Sequence, residues 1–291
     1  MHIIALIAAL SLTQTEPRTV RDRSNERFRE LGVNYSLGEP RADINSGLWA
    51  AYDLTGQPDA GFVDSGPNGL NMPVVMNAQG FPKLVTVDGV QATQFSRANT
   101  SGSPAVPDNY GRLSNVNITK YTAMSGQAFS IAFWWKRVSS SESTGPETIL
   151  ELGCNGGAGT NPGNDMLWNI SRVTNNFRPN WTGPIGNANS YTGTSVIPYN
   201  QWNHWVVVEE ARPSNKVRFL FYQNGVLVET SPDQTNRPGH WASAPTSSCN
   251  MAISAGSAPA QYQNGGYLRL IKVYTRTLSA LDVKALYDNG G

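Results

Sequence analysis

Charge is what this sequence has least of. Charged residues fill 15% of its 291 positions, and 22 Lys and Arg against 21 Asp and Glu leave a formal net charge of +1. No cluster of Lys and Arg stands without opposing acids. The chain therefore has no long-range field to steer nucleic acid or an anionic membrane, and neither is expected as a partner. Histidine is scarce as well, with only His2, His204 and His240. His2 sits in an apolar run, His204 shares a strand face with Trp202, Val206 and Val208, and His240 lies in a Pro-Gly-His-Trp loop. None has the setting of a general base. There is no G-x-S-x-G elbow, and the glycine-rich stretch Cys154 to Gly163 lacks the Gly-Lys-Ser/Thr of a phosphate loop. Two cysteines, Cys154 and Cys249, are too few to demand an oxidising compartment, and a bridge and two separate thiols both stay open. No apolar run is long enough to span a bilayer.

What the sequence has is glycine, proline and alternation. Its 28 Gly and 18 Pro punctuate short apolar runs. Phe129-Ser-Ile-Ala-Phe-Trp-Trp135 alternates with period two, as a half-buried strand does, with Trp134 on the face opposite Ile131, Phe133 and Trp135. The runs Lys216 to Tyr222 and Val226 to Glu229 flank Asn224-Gly225, whose residues tolerate the positive φ of a tight hairpin. Strand signals recur at Leu48–Leu54, Gly89–Phe95, Glu147–Leu152, Met166–Ile170, Trp202–Glu209, Ala252–Ala255 and Gly266–Tyr274. Asp64-Ser-Gly-Pro-Asn-Gly69 reads as a turn. Ser279-Ala-Leu-Asp282 opens a helix with an N-cap and an acidic third residue, and Gly290 ends it. The pattern specifies an antiparallel all-β fold closed by one short helix, and 291 residues suffice for a single large core.

The first 46 residues read differently. Ile3-Ile-Ala-Leu-Ile-Ala-Ala-Leu-Ser-Leu12 has the length of a signal-peptide core, but only Met1-His2 precede it and no clear small-x-small cleavage site follows. It is read as an apolar assembly arm, with secretion as the alternative. Residues 16–31 read as a polar helix of mixed charge with few core-facing residues, and residues 32–46 as a linker. Ile3, Ile4, Leu6, Ile7, Leu10 and Phe28 are the residues expected to pack on other subunits of a large assembly. The domain division is 1–46 for arm, helix and linker, and 47–291 for the β domain.

The ordered set of local patterns resembles the laminin G-like branch of the concanavalin A-like lectin superfamily. The resemblance rests on Trp49–Leu54 with its Asp64 turn, Phe129–Lys136, Gln201–Val208, Phe221–Val228 and Leu270–Tyr287, and covers about residues 47 to 291. It implies a jelly-roll sandwich of two antiparallel sheets with a terminal helix sealing one end. Its members include lectins, adhesion modules, glycan-binding appendages and domains of bacteriophage structural proteins. Its glucanase branch carries paired carboxylates on one strand, about 5 Å apart in retaining enzymes. Glu147 and Glu151, four residues apart on one strand, would share a face but stand roughly 13 Å apart at ~3.3 Å per residue. Neighbouring Glu209 and Glu210 point to opposite faces. No catalytic residue is therefore expected, and the chain is read as a non-enzyme. Related proteins hold calcium, and Asp53, Asp64, Asp108 and Asp165 lie in turns that could supply oxygen ligands. The last core strand reads Leu268-Arg-Leu-Ile271, without the acidic pair that relatives carry, so no metal or other cofactor is expected.

Sugars stack on aromatic faces and present hydroxyls to polar side chains, so aromatics in turn-rich polar sequence are the binding candidates. Trp181, Tyr191, His240, Trp241 and Tyr262 fit that description. The resulting expectation is a structural or interaction protein of a bacteriophage virion, in capsid decoration or tail, with cell-surface glycans as the candidate partner of its jelly-roll module. The alternative is an extracellular, secreted lectin-like protein, and a glycoside hydrolase is disfavoured by carboxylate spacing.

Overall fold

The computed structural model describes residues 42–76, 80, 82–95, 110–116, 128–138, 147–154, 166–173, 176–182, 188–214, 216–235, 249–254 and 266–290. The apolar run, the polar helix at 16–31 and the six residues of the expected assembly arm lie outside them. Residues Ala42–Gly291 form one compact unit.

In chain order its strands are β1 (Leu48–Asp53), β2 (Val74–Val75), β3 (Lys83–Val87), β4 (Val90–Phe95), β5 (Tyr110–Val116), β6 (Ser130–Arg137), β7 (Glu147–Cys154) and β8 (Met166–Val173). They continue with β9 (Asn176–Thr182), β10 (Ala188–Ser190), β11 (Trp202–Arg212), β12 (Lys216–Gln223), β13 (Val226–Thr230), β14 (Cys249–Ile253) and β15 (Gly266–Tyr274), and helix α1 (Ala280–Asp288) follows. One antiparallel sheet runs β13-β12-β11-β6-β15-β4-β3, with β1 also paired to β15. The other runs β10-β9-β8-β7-β14-β5-β2. The expected two-sheet all-β architecture is present.

Inward residues of both sheets make the main core. Phe133, Trp135, Trp205, Val207, Phe219 and Ile271 from the first sheet join Ile149, Leu150, Phe177, Met251 and Ile253 from the second. Phe177 is its hub, with ring centroids 4.7 Å from Trp205 and 5.8 Å from Phe133. The sequence reads β6 as half-buried, yet seven of its eight residues are buried. A second core explains the difference. Ala132, Val206, Val208, Tyr222 and Tyr274, on the outer face of the first sheet, pack with Leu278, Val283 and Leu286. The helix thus covers a sheet face rather than sealing an end of the sandwich, which corrects the expectation from resemblance.

Local sequence sets the connections as expected. Asn224 (φ 51°) and Gly225 (φ 79°) turn β12 into β13, and Asn224 exchanges backbone and side-chain hydrogen bonds with His204. Ser279 accepts the Asp282 N–H while Asp282 accepts the Ser279 N–H, a reciprocal capping box. Arg276 donates to Asp282 and to the carbonyls of Asp43 and Ser46, so residues 43–46 lie against the start of α1. Burial opposes ionisation of Asp282, but the Arg276 guanidinium and Ser279 donors outweigh it and hold its carboxyl at about 2.

Two features bear on chemistry. On β7 the register with β8 slips between Thr148 and Leu150, so Glu147 pairs with Arg172 and Glu151 with Asn169. Those partners have opposite parity, so the bulge takes the two glutamate positions off the shared face that the uninterrupted strand predicts. Cys249 of β14 is the register partner of Cys154 of β7.

The Asp64 turn is a structural keystone. Its carboxylate accepts N–H bonds from Ala51 (2.8 Å), Gly66 (2.7 Å) and Leu70 (2.7 Å), and the residue is 7% exposed. Replacing Asp64 with Ala would strand three donors, two of them in buried bonds, so we expect Asp64→Ala to lower unfolding stability by about 3 kcal/mol in urea titrations.

Candidate functional site

The outer face of the first sheet is only partly roofed by α1. Beyond the helix a cross-strand row runs Gln94 (β4), Tyr267 (β15), Lys136 (β6) and Trp202 (β11), in register and therefore on one face. Gln94, Tyr267 and Trp202 are each partly exposed. Tyr267 and Trp202 flank Lys136 at two strand spacings, about 10 Å. The Lys136 amine is held by Asp88, the first residue of a tight turn with Gly89 (φ 53° and 76°) between β3 and β4. The indole N–H of Trp202 is buried and has no hydrogen-bond partner among the described residues.

The next row brings Leu270, Trp134 and His204 together. Trp134 stacks on Tyr287 of α1 at 5.9 Å and lies 5.2 Å from the His204 ring. Arg269 sits over the Trp134 ring, 5.7 Å from its centroid. It shares the face of Tyr267, two residues before it, and stands at a register slip: Leu268 pairs with Trp135 and Leu270 with Trp134, so Arg269 is the extra residue. The same point is where the neighbour of β15 changes from β4 to β1, and the Arg269 carbonyl accepts the Leu54 N–H.

His204 is buried, 1% exposed, and neither ring nitrogen has a hydrogen-bond partner among the described residues. Burial, aided by the charge of Lys272, pushes its pKa from 6.5 down to about 4. Lys272 is itself lowered by burial. These values leave His204 neutral at pH 7 and make it a poor acid or base.

Of the aromatic candidates read from sequence, Tyr191 is the one whose side chain is described. Its hydroxyl donates to Glu229 (2.9 Å), and its ring lies 6.2 Å from Phe221. Glu229 also accepts the N–H groups of Thr194 and Ser195, which ties β13 to the segment after β10. Burial, then Glu229, raises the Tyr191 hydroxyl to about 12. Trp181 lies on β9 opposite Asn189. His240, Trp241 and Tyr262 lie outside the described residues. Of the four aspartates considered for calcium, Asp64 is committed to its turn and Asp53 accepts from Thr55, while Asp108 and Asp165 lie outside the described residues. Among the described residues no group of three or more His, Cys, Asp or Glu is arranged to hold a metal. The structure instead brings together Trp134, Lys136, Trp202, Tyr267 and Arg269. Sequence alternation places Trp134 opposite the core face and Trp202 on the face of His204, Val206 and Val208; the Asp88-Gly89 hairpin and the Arg269 bulge were the unread parts.

A family model described as the concanavalin A-like lectin/glucanases superfamily matches residues 108–284. That is more than half of the chain, and the chain belongs to this superfamily, in its laminin G-like branch. No curated protein matches the sequence. Among solved structures, the binding domain of botulinum neurotoxin DC in complex with SialylT superposes with a TM-score of 0.55 at 15% identity, covering 85% of this chain and 52% of that one. A structure of botulinum neurotoxin type C, reported as dependent for cell entry on two ganglioside molecules, gives 0.52 at 16%, covering 85% and 52%. The neurotoxin DC binding domain with rat synaptotagmin II gives 0.51 at 16%, with the same coverage. At these identities the likeness is one of fold, and the chain spans about half the length of those binding domains.

The His204 values generate a pH prediction. The unfolded chain binds a proton near pH 6.5 and the folded chain only near 4, so stability falls as pH drops through that window and levels below it. The loss is about 3 kcal/mol at most. Asp282 loses its contribution lower, between the ordinary 3.8 of an aspartate and about 2. Urea unfolding from pH 7 to 4.5 is expected to show a decline that His204→Phe removes.

Proposed function

We propose that this chain is a non-catalytic carbohydrate-binding module whose ligand lies on the outer-face shelf. The observation that carries this reading is the pair of partly exposed rings, Trp202 and Tyr267, on one sheet face with Gln94, Lys136 and Arg269 around them. Flat aromatic faces accept the apolar face of a sugar ring while amide and cationic groups take its hydroxyls. Membership of a superfamily that contains lectins supports the reading, as do fold neighbours solved with SialylT or named for gangliosides. The bulge that separates Glu147 from Glu151 supports binding without hydrolysis.

The setting we propose is the surface of a bacteriophage particle, with residues 1–46 as the attachment to other subunits. Its support is the apolar run Ile3–Leu12 and the mixed-charge segment after it. The alternative is a secreted extracellular lectin-like protein.

Two measurements test these readings. Trp202→Ala and Tyr267→Ala are each expected to weaken glycan binding roughly tenfold, about 1.4 kcal/mol, with an unchanged thermal midpoint. Wild-type binding by both variants would place the ligand elsewhere, and release of reducing ends from a polysaccharide would overturn the non-catalytic assignment. Mass measurement of the protein from its natural source is expected to find it within a megadalton particle; a free, processed chain would sink the virion setting.

A further inference from the structure

We propose that the shelf selects acidic sugars, and that the Arg269 guanidinium receives the carboxylate or sulfate. This rests on the carbohydrate-binding reading above and adds the ligand class.

Cations near the shelf fall into two groups. Lys136 is neutralised by Asp88, Lys284 by Asp288, and Arg276 by Asp282. Arg269 and Lys272, both on β15, make no ion pair or side-chain hydrogen bond among the described residues. The carboxylates of Asp88, Asp288 and Asp282 are thus committed to other cations, Asp53, the register partner of Leu270, accepts from Thr55, and two cations on β15 without an ion pair favour an anion.

Arg269 is also placed rather than merely present. It stands two residues from Tyr267 and shares its outer face, and the bulge makes it the extra residue just before the Leu270–Trp134 pair. There it lies over the Trp134 ring, which is itself fixed by Tyr287 and His204. A guanidinium lying over an indole keeps its N–H donors in a fixed plane, so little side-chain freedom is lost when a carboxylate or sulfate meets it edge-on. Two parallel charge-assisted hydrogen bonds are the geometry this fork offers. Lys272, whose amine is depressed by burial, gains stability in its charged form when an anion arrives nearby. Trp202 and Tyr267 then hold the sugar rings, which share the face with Arg269.

The test is calorimetric titration of the full chain, guided by an array of matched neutral, sialylated, uronate and sulfated oligosaccharides. Acidic members are expected to bind roughly tenfold tighter than their neutral counterparts, as one bidentate charged contact provides. Arg269→Gln should bring matched acidic and neutral members to equal affinity, with the thermal midpoint confirming an intact fold. Arg269→Lys separates the two anions: the point charge should retain sulfate better than carboxylate, because the planar fork is lost. Equal affinity for acidic and neutral partners, or an advantage that survives Arg269→Gln, overturns this proposal and leaves the carbohydrate reading standing. Binding to no member of the array overturns both.

Discussion

Burial of both faces of β6 and β11 is the constraint on which the rest of this structure depends. A strand covered on one side needs only alternation, but Ala132, Val206 and Val208 on the second side need a lid. The lid is α1, so the helix must arrive at one place on the sheet. The capping box of Ser279 and Asp282 starts it there, and Arg276 holds that start against residues 43–46. The shelf follows as the remainder: α1 covers the rows through Ala132 and Ser130, reaches Trp134 with Tyr287, and leaves the row through Lys136 partly open. Site and core are therefore two portions of one sheet face, divided by the length of a nine-residue helix.

The same face shows why two strongly perturbed groups need not signal catalysis. His204 is deprived of water and of hydrogen-bond partners, and sits beside a lysine rather than a carboxylate. A general base needs a route for the proton and a reason to hold it. Here both are missing among the described residues, and the imidazole serves as a flat packing element between Trp134 and Tyr287.

Short-range chemistry was the legible part of the sequence. Asn224-Gly225, the Asp64 turn and the Ser279 cap each depend on a few adjacent residues, and each is where the letters put it. The Asp88-Gly89 turn carries an equally local signal, flanked by Val85–Val87 and Val90, and passes unread only because its first strand is short. The second core was not legible, since alternation within β6 says which residues share a face but not what distant element covers it. Bulges defeat the same reasoning more thoroughly. One extra residue reverses parity along the strand, so Glu147 and Glu151 part company and Leu270 joins the row of Trp134, which counting by twos from Leu268 would not assign. Of the aromatics picked for exposure in polar sequence, Tyr191 spends its hydroxyl on Glu229, a long-range pairing that no local pattern announces.

The tie between Arg276 and residues 43–46 has a mechanical consequence. Leu48 and Tyr274 are register partners at one end of the β1–β15 ladder, so the chain enters β1 and leaves β15 at one corner, from which α1 runs back to Trp134. Tension applied between residues 43–46 and the start of α1 would fall first on the three hydrogen bonds of the Arg276 guanidinium to Asp43, Ser46 and Asp282. Once those yield, an antiparallel pair loaded at its shared end opens one rung at a time instead of shearing as a block. Anchored at one end only, the same domain carries no load across that corner, and its sheets hang intact from a single tether.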